Sequence, residues 1–167
     1  IHYFFENDLV LKTFVDNVAY CLKSNGYFIG TCMNGQLLFN KLKTKKELGV
    51  KDIWYIKQKY NKNNNFNNSI GLSISVFIET FAKGHTEYLI NFDRLNQLLA
   101  EKNIFLVSND EAQILGFPKR FGQFNDLDEI KNYDLKKNHE LSALNCYFIY
   151  KKFYKIDKSL LKEKIDL

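Results

Sequence analysis

The stretch Leu22–Met33, LKSNGYFIGTCM, decides how the rest of the chain is read. Gly26 closes whatever precedes it, and the short apolar run YFIGTCM that follows has the pattern of a strand covered on both faces. Upstream, NDLVLKTFVDNVAYCLKSNG sets Leu11, Phe14, Val15, Val18 and Cys21 or Leu22 at three-to-four spacing behind Asn7 or Asp8 as N-cap. That spacing predicts an amphipathic helix with Gly26 as its stop. Helix, glycine, buried strand is the rhythm of an α/β sheet.

Downstream, NGQLLFNKLKTKKELG predicts a short helix capped near Asn34 and ending in a lysine-rich turn, and DIWYIKQKY alternates like a strand. SIGLSISVFIETF sets Leu72, Ile74, Val76 and Ile78 against Ser73, Ser75, Phe77 and Glu79, a strand with one packed face. The two strands pair across NKNNNFNNS, an asparagine run read as a flexible loop. A turn at GHTEY leads to a helix capped by Asn91, with Phe92, Leu95, Leu98 and Leu99 inward, and then to the strand IFLV. From Asp110 to Glu140, Pro118, glycines and scattered aromatics predict an irregular surface excursion with a short helix in DLDEIKNYDL. LNCYFIYKKFY is the last strand, and SLLKEKIDL a charged tail with a final helical turn. Residues 1–154 therefore read as one structural unit and residues 155–167 as its tail.

With 167 residues, 46% of them hydrophobic, the chain has one domain's length and enough apolar material for a core. No apolar run of about eighteen residues spans a bilayer and no leader opens the chain, so the expectation is a soluble intracellular protein without membrane contact. Cys21, Cys32 and Cys146 are widely separated in apolar surroundings and read as buried free thiols. The net charge of +5 invites a polyanion, but only Arg94 and Arg120 are arginine, and an AT-rich genome would give the same lysine and asparagine excess. KLKTKKELG with Lys51 is either a solvated face or an RNA-backbone contact. Trp54, Tyr55 and Tyr60 either stack on bases or pack in the sheet. His85 and Glu87 would supply two metal ligands, but no third is evident, and no metal is expected.

The chain opens on IHYFFEND in mid-pattern and carries only two or three core strands, without a glycine-rich strand-to-helix turn for a cofactor. It reads as the C-terminal part of a larger α/β domain, with HYFFEN following a strand's carboxyl end, where open α/β sheets keep their ligands.

HYFFEND, LKSNGYFIGT, TEYLINFDRLNQLLAEKNIFLV and LNCYFIYKK, in that order, resemble the mRNA cap guanine-N7 methyltransferases over most of residues 1 to 152. The resemblance implies the C-terminal half of a Rossmann-like class I methyltransferase domain whose N-terminal strands are missing, in the style of a large-DNA-virus capping enzyme. It implies methyl transfer from S-adenosylmethionine to guanine-N7 of the cap, with most of the donor's site upstream and this fragment inactive alone. His2 matches the family's cap-contacting histidine, Tyr3 the tyrosine where cofactor and guanine meet, and Glu87 the glutamate that accepts hydrogen bonds from guanine. At the family's last-strand cap tyrosine this chain has Asn145, a departure, and Tyr147 on the same strand face is its substitute. No residue acts as a catalytic base. Capped RNA is the expected partner, with room for a stimulatory protein subunit, in the host cytoplasm or virion if the chain is viral and in the nucleus if cellular. The competing readings are a noncatalytic methyltransferase-like or RNA-binding module, and a class I methyltransferase for a small molecule or protein.

Overall fold

The computed structural model describes residues 1–61, 63–67, 69–80, 83–127 and 139–154. The short helix expected in DLDEIKNYDL and the tail 155–167 lie wholly or mostly outside these. A 3-10 turn, His2–Phe5, leads into helix α1, Asp8–Cys21, and the choice of N-cap falls on Asn7, whose side chain accepts from Val10 N. The helix ends at Leu22, before the predicted glycine. Asn25 takes the left-handed conformation at φ 64, and Gly26 then delivers strand β1, Tyr27–Met33. The Lys152 ammonium donates to the Ala19 and Leu22 carbonyls at 2.6 and 2.9 Å, placing a cation where the helix dipole favours one.

The first sheet is built around the last strand. Here β8, Asn145–Lys152, runs antiparallel to β1 on one side and to β6, Ile104–Leu106, on the other, and the short β7, Phe121–Gln123, pairs antiparallel with the amino-terminal half of β8. Strands β1 and β6 therefore point the same way, as helix-to-strand units should, but the reversed β8 separates them, and every pairing among the described residues is antiparallel. On one face of β8, Cys146, Phe148 and Tyr150 pack on α1 and on α3, Phe92–Ala100, through Leu11, Val15, Leu95 and Leu99. On the other, Ile149 meets Val107 and Ala112, the latter from α4, Asn109–Ile114. Strand β1 departs from the sequence expectation: its carboxyl-terminal Cys32 and Met33 are buried, but Tyr27 and Ile29 are exposed, so only part of it is covered. Gly30 is a glycine because a Cβ there would stand 2.6 Å from the Phe148 ring, which lies across the strand.

The second sheet is an antiparallel meander of β2, Glu47–Val50, β3, Trp54–Gln58, β4, Ser73–Ile78, and β5, His85–Tyr88, in sequential order. Helix α2, Gly35–Thr44, capped by Asn34, lays Leu38, Phe39 and Leu42 on Trp54, Ile56, Ile74 and Val76. The predicted pairing of β3 with β4 is present, while β2 replaces the expected lysine-rich turn and β5 the turn at GHTEY. The asparagine run is no loose loop where it is described: Phe66 is buried beside Phe39, and the Asn91 amide donates to the Phe66 carbonyl at 2.8 Å. Residues 109–126 are likewise more ordered than their composition suggested, holding α4, β7 and a 3-10 turn. A last helical turn, α5, His139–Ser142, precedes β8.

Cys32 and Cys146 face each other across β1 and β8 as buried free thiols 3.9 Å apart, whereas Cys21, against expectation, is exposed at the end of α1. Among the described residues no helix is long and apolar enough to cross a membrane, and no cluster of three or more His, Cys, Asp or Glu could hold a metal ion.

Candidate functional site

Phe5 anchors the opening 3-10 turn. Its side chain is fully buried in the first core, and its carbonyl accepts from Gly71 N, just ahead of β4, at 2.9 Å. This lays the turn against β5 at the far edge of the meander. His2, on the turn, and Glu87, in the middle of β5, meet there with Nδ1 and Oε2 3.8 Å apart. Both side chains are mostly enclosed, 19% and 16% exposed. Glu87 is directly opposite Ile74 and so shares the core-facing side of the meander, where a carboxylate is out of place unless a ligand uses it.

The electrostatics define what this pair is. Burial pushes the His2 imidazole down to about 4, so at neutral pH it is uncharged. Burial also raises the Glu87 carboxyl, against the lowering effect of His85. The contact has the distance of an ion pair, but its histidine is neutral, and 3.8 Å is too long for a hydrogen bond. Glu87 Oε2 has no hydrogen-bond partner among the described residues. A half-desolvated carboxylate beside a neutral imidazole is a pre-formed acceptor for a ligand that brings its own N–H groups.

A pH signature follows from His2. Its folded value lies below the ordinary 6.5, so the stability it contributes is present above 6.5 and is lost as pH falls toward about 4, by at most on the order of 3 kcal/mol. Glu87 works in the opposite sense, its raised carboxyl favouring the fold at low pH. Urea unfolding at stepped pH should show wild type losing stability relative to His2→Gln between pH 6.5 and 4; parallel curves would show that the imidazole is not desolvated.

The other expected site residues are placed differently. Tyr3 is on the same turn as His2 but 57% exposed. Asn145 opens β8 across from Met33, and its amide donates to the Leu141 carbonyl at 3.0 Å, closing α5. Tyr147 is buried, its ring 5.5 Å from Phe117 and its hydroxyl over Gly122, and burial raises the phenol. The structure thus brings His2 and Glu87 together and gives Asn145 and Tyr147 contacts within the first sheet. The site also depends on Gly35, which the sequence reading passed over. This first residue of α2 lies so close to Ile90, just past β5, that a Cβ would stand 2.1 Å from the Ile90 carbonyl oxygen. Through it the end of β5 is seated at the carboxyl end of β1.

A reversed strand between two parallel, helix-linked neighbours, beside an antiparallel meander whose edge strand holds the polar pair, fits one class: part of a Rossmann-like methyltransferase domain. The mRNA (guanine-N(7))-methyltransferase domain model matches residues 1–139, and the chain belongs to that family. A probable mRNA-capping enzyme of Acanthamoeba polyphaga mimivirus is 31% identical over 123 residues, covering 66% of this chain. The chain spans about 10% of that relative's length. Among solved structures, the CcbJ methyltransferase of Streptomyces caelestis superposes over 91% of this chain and 53% of its own with a TM-score of 0.46 and 10% identity.

The family's chemistry implies an S-adenosylmethionine type of methyl donor. The β1-to-α2 turn carries the single Gly35, whose Cβ space Ile90 already fills, so these residues do not build the donor's cradle.

Proposed function

We propose that the polypeptide containing this chain methylates N7 of the guanine in an RNA 5′ cap, and that this chain supplies the guanine pocket. The carrying observation is the meeting of His2 and Glu87, far apart in sequence, with an unpartnered carboxylate oxygen between the opening turn and β5. Glu87 would accept from the ring N–H and the exocyclic amine of guanine, an acceptor pair against a donor pair. As N7 gains a methyl group the ring becomes cationic, and the Glu87 charge stabilises that change. A neutral His2 matters for the same reason, since an imidazolium beside the ring would oppose it. N7 has a free lone pair and no proton, so no base is required, and the protein's work is alignment, worth roughly 7 kcal/mol or more of barrier.

Tyr3 would cover the guanine from the side nearer the methyl donor, its exposed ring being free to close on both. Asn145 and Tyr147, at the amino end of β8, would border the pocket from the first sheet. The donor, S-adenosylmethionine, brings the electrophilic methyl group, and its cradle belongs to other parts of the protein. The mimivirus relative supports a viral origin and a place of action in the host cytoplasm or the virion.

The test is methyl transfer by the complete polypeptide to capped and uncapped RNA with labelled donor, followed by nuclease digestion. Label recovered only from capped RNA and only as 7-methylguanine is the expected result. Label on ribose, or on uncapped RNA equally, would sink the assignment.

A further inference from the structure

The edge of the meander away from Glu87 has a construction of its own. Two hollows of about 520 and 490 Å³ adjoin there, sharing Glu47, Gly49 and Trp54. Gly49 forms the ridge between them: its φ is +150°, and a Cβ would stand 2.2 Å from the Trp54 carbonyl oxygen, so no side chain divides the two spaces. Lys41, from the exposed side of α2, and Lys45, just past its end, line the first hollow, and Lys51 with Tyr55 and Phe77 lines the second. The Tyr55 and Phe77 rings are stacked at 5.2 Å and 14° on the sheet face opposite the core, both half-buried. Trp54, 2% exposed, belongs to both walls, and its indole N–H has no acceptor among the described residues.

Cations, an aromatic platform and an unanswered donor call for one ligand chemistry: anionic oxygens alternating with flat rings. Three carboxylates also line the hollows. Glu47 is engaged by Lys57 at 3.0 Å, which leaves Asp52 and Glu140 against Lys41, Lys45 and Lys51, with Lys43 and Lys46 nearby on the same run. The balance stays positive.

We propose that this double hollow is a docking strip for single-stranded RNA, in which Lys41 and Lys45 hold backbone phosphates and the Tyr55–Phe77 platform receives a base. It deepens the cap reading, on which the choice of RNA as occupant rests. With the strand order β2-β3-β4-β5, the β2 edge of the strip lies about 14 Å, three strand spacings, from the strand that carries Glu87, while the Tyr55–Phe77 platform, on β3 and β4, lies on the sheet face opposite Glu87. A transcript whose guanine is held at Glu87 on the core-facing side meets Lys41 and Lys45 first and reaches the platform only by turning round the β2 edge at Gly49, a path of several extended nucleotides. The lysine-rich run then has a role that its sequence left open between solvated face and RNA contact.

The experiment uses uncapped oligouridylate of about ten nucleotides, so that its outcome is independent of any guanine pocket. Trp54 is the chain's only tryptophan and therefore a built-in reporter. Titration should change its fluorescence, with an affinity that falls with salt at a slope of about −0.7 per phosphate contact. Lys41→Glu with Lys45→Glu, both exposed positions, should weaken binding at least tenfold and flatten the salt slope by about 1.4. Tyr55→Ala should weaken binding with the slope unchanged, and circular dichroism checks that each variant is folded. No binding, binding indifferent to both lysine reversals, or RNA bound with silent Trp54 fluorescence would each overturn the proposal. So would an acidic peptide that binds at the strip when oligouridylate does not.

Discussion

Glu87→Ala in the complete polypeptide is expected to lower kcat/KM for capped RNA by about two to four orders of magnitude. The size follows from two hydrogen bonds to a charged acceptor at roughly 1.5–3 kcal/mol each, with 1.36 kcal/mol per tenfold in rate. Glu87→Gln should lose nearly as much, because its amide turns one acceptor into a donor that faces the guanine's own donors. Base discrimination gives a sharper reading than rate. A cap carrying hypoxanthine lacks the exocyclic amine and should be a poor substrate for wild type, but Glu87→Ala should no longer tell it from guanine. Undiminished kcat/KM together with intact discrimination would remove Glu87 from the pocket.

The same substitution makes a prediction about folding with the opposite sign. Glu87 is raised by burial and leaves Oε2 unpartnered, so the native state favours its neutral form. The stability this gives is present at low pH and lost as pH rises through the folded value. At neutral pH the ionised side chain is thus a cost to the free protein that a bound ligand offsets. Glu87→Gln should therefore unfold at a temperature no lower than wild type while losing activity, which separates a binding role from a structural one.

This pairing also shows where sequence reading reaches its limit. Asn91, the neighbourhood of Asn34, and Asn7 as one of two candidates were legible as helix caps because a cap is a local event, one side chain answering an N–H three residues on. ELGV and HTEY carry no alternation, and they are strands only because β3 and β4 offer them open edges. Phe66 was hidden by its asparagine neighbours, since its burial is set by Phe39 and the Asn91 amide, both distant in sequence. In the site, His2 and Glu87 were picked out through resemblance to a family, because no periodicity links a residue at the chain's opening to one in the meander. The Trp54 hollow was illegible for a related reason: an alternating aromatic in a strand reads as packing, and only the tertiary arrangement shows a donor left without an acceptor.

Gly35→Ala is the second large effect, and its sign runs against local propensity. At an ordinary helix position alanine would be better than glycine by about 0.8–1 kcal/mol. Here its methyl group would stand 2.1 Å from the Ile90 carbonyl oxygen and 2.7 Å from the Ile90 nitrogen, both backbone atoms that no rotamer change can move. Something must shift by over an ångström. If α2 retreats, the Asn34 N–H loses its 2.8 Å bond to Leu144; if Ile90 retreats, it leaves the first core and Leu89 the second, and β5 moves with Glu87 on it. Overpacking of this kind costs about 3 kcal/mol, which for a chain of this size lowers the melting temperature by roughly 6–12 °C. Gly116→Ala is the contrast: its φ of +87° is strained for alanine, but nothing lies within 4 Å of the added methyl, so the cost should stay near 1 kcal/mol. Where Gly35→Ala remains folded, it should bind guanine cap analogues at least tenfold more weakly, because the contact that seats β5 is the one the methyl group pushes apart. A Gly35→Ala protein as stable as wild type, with unchanged cap affinity, would mean that the close approach of α2 to Ile90 does not position the site.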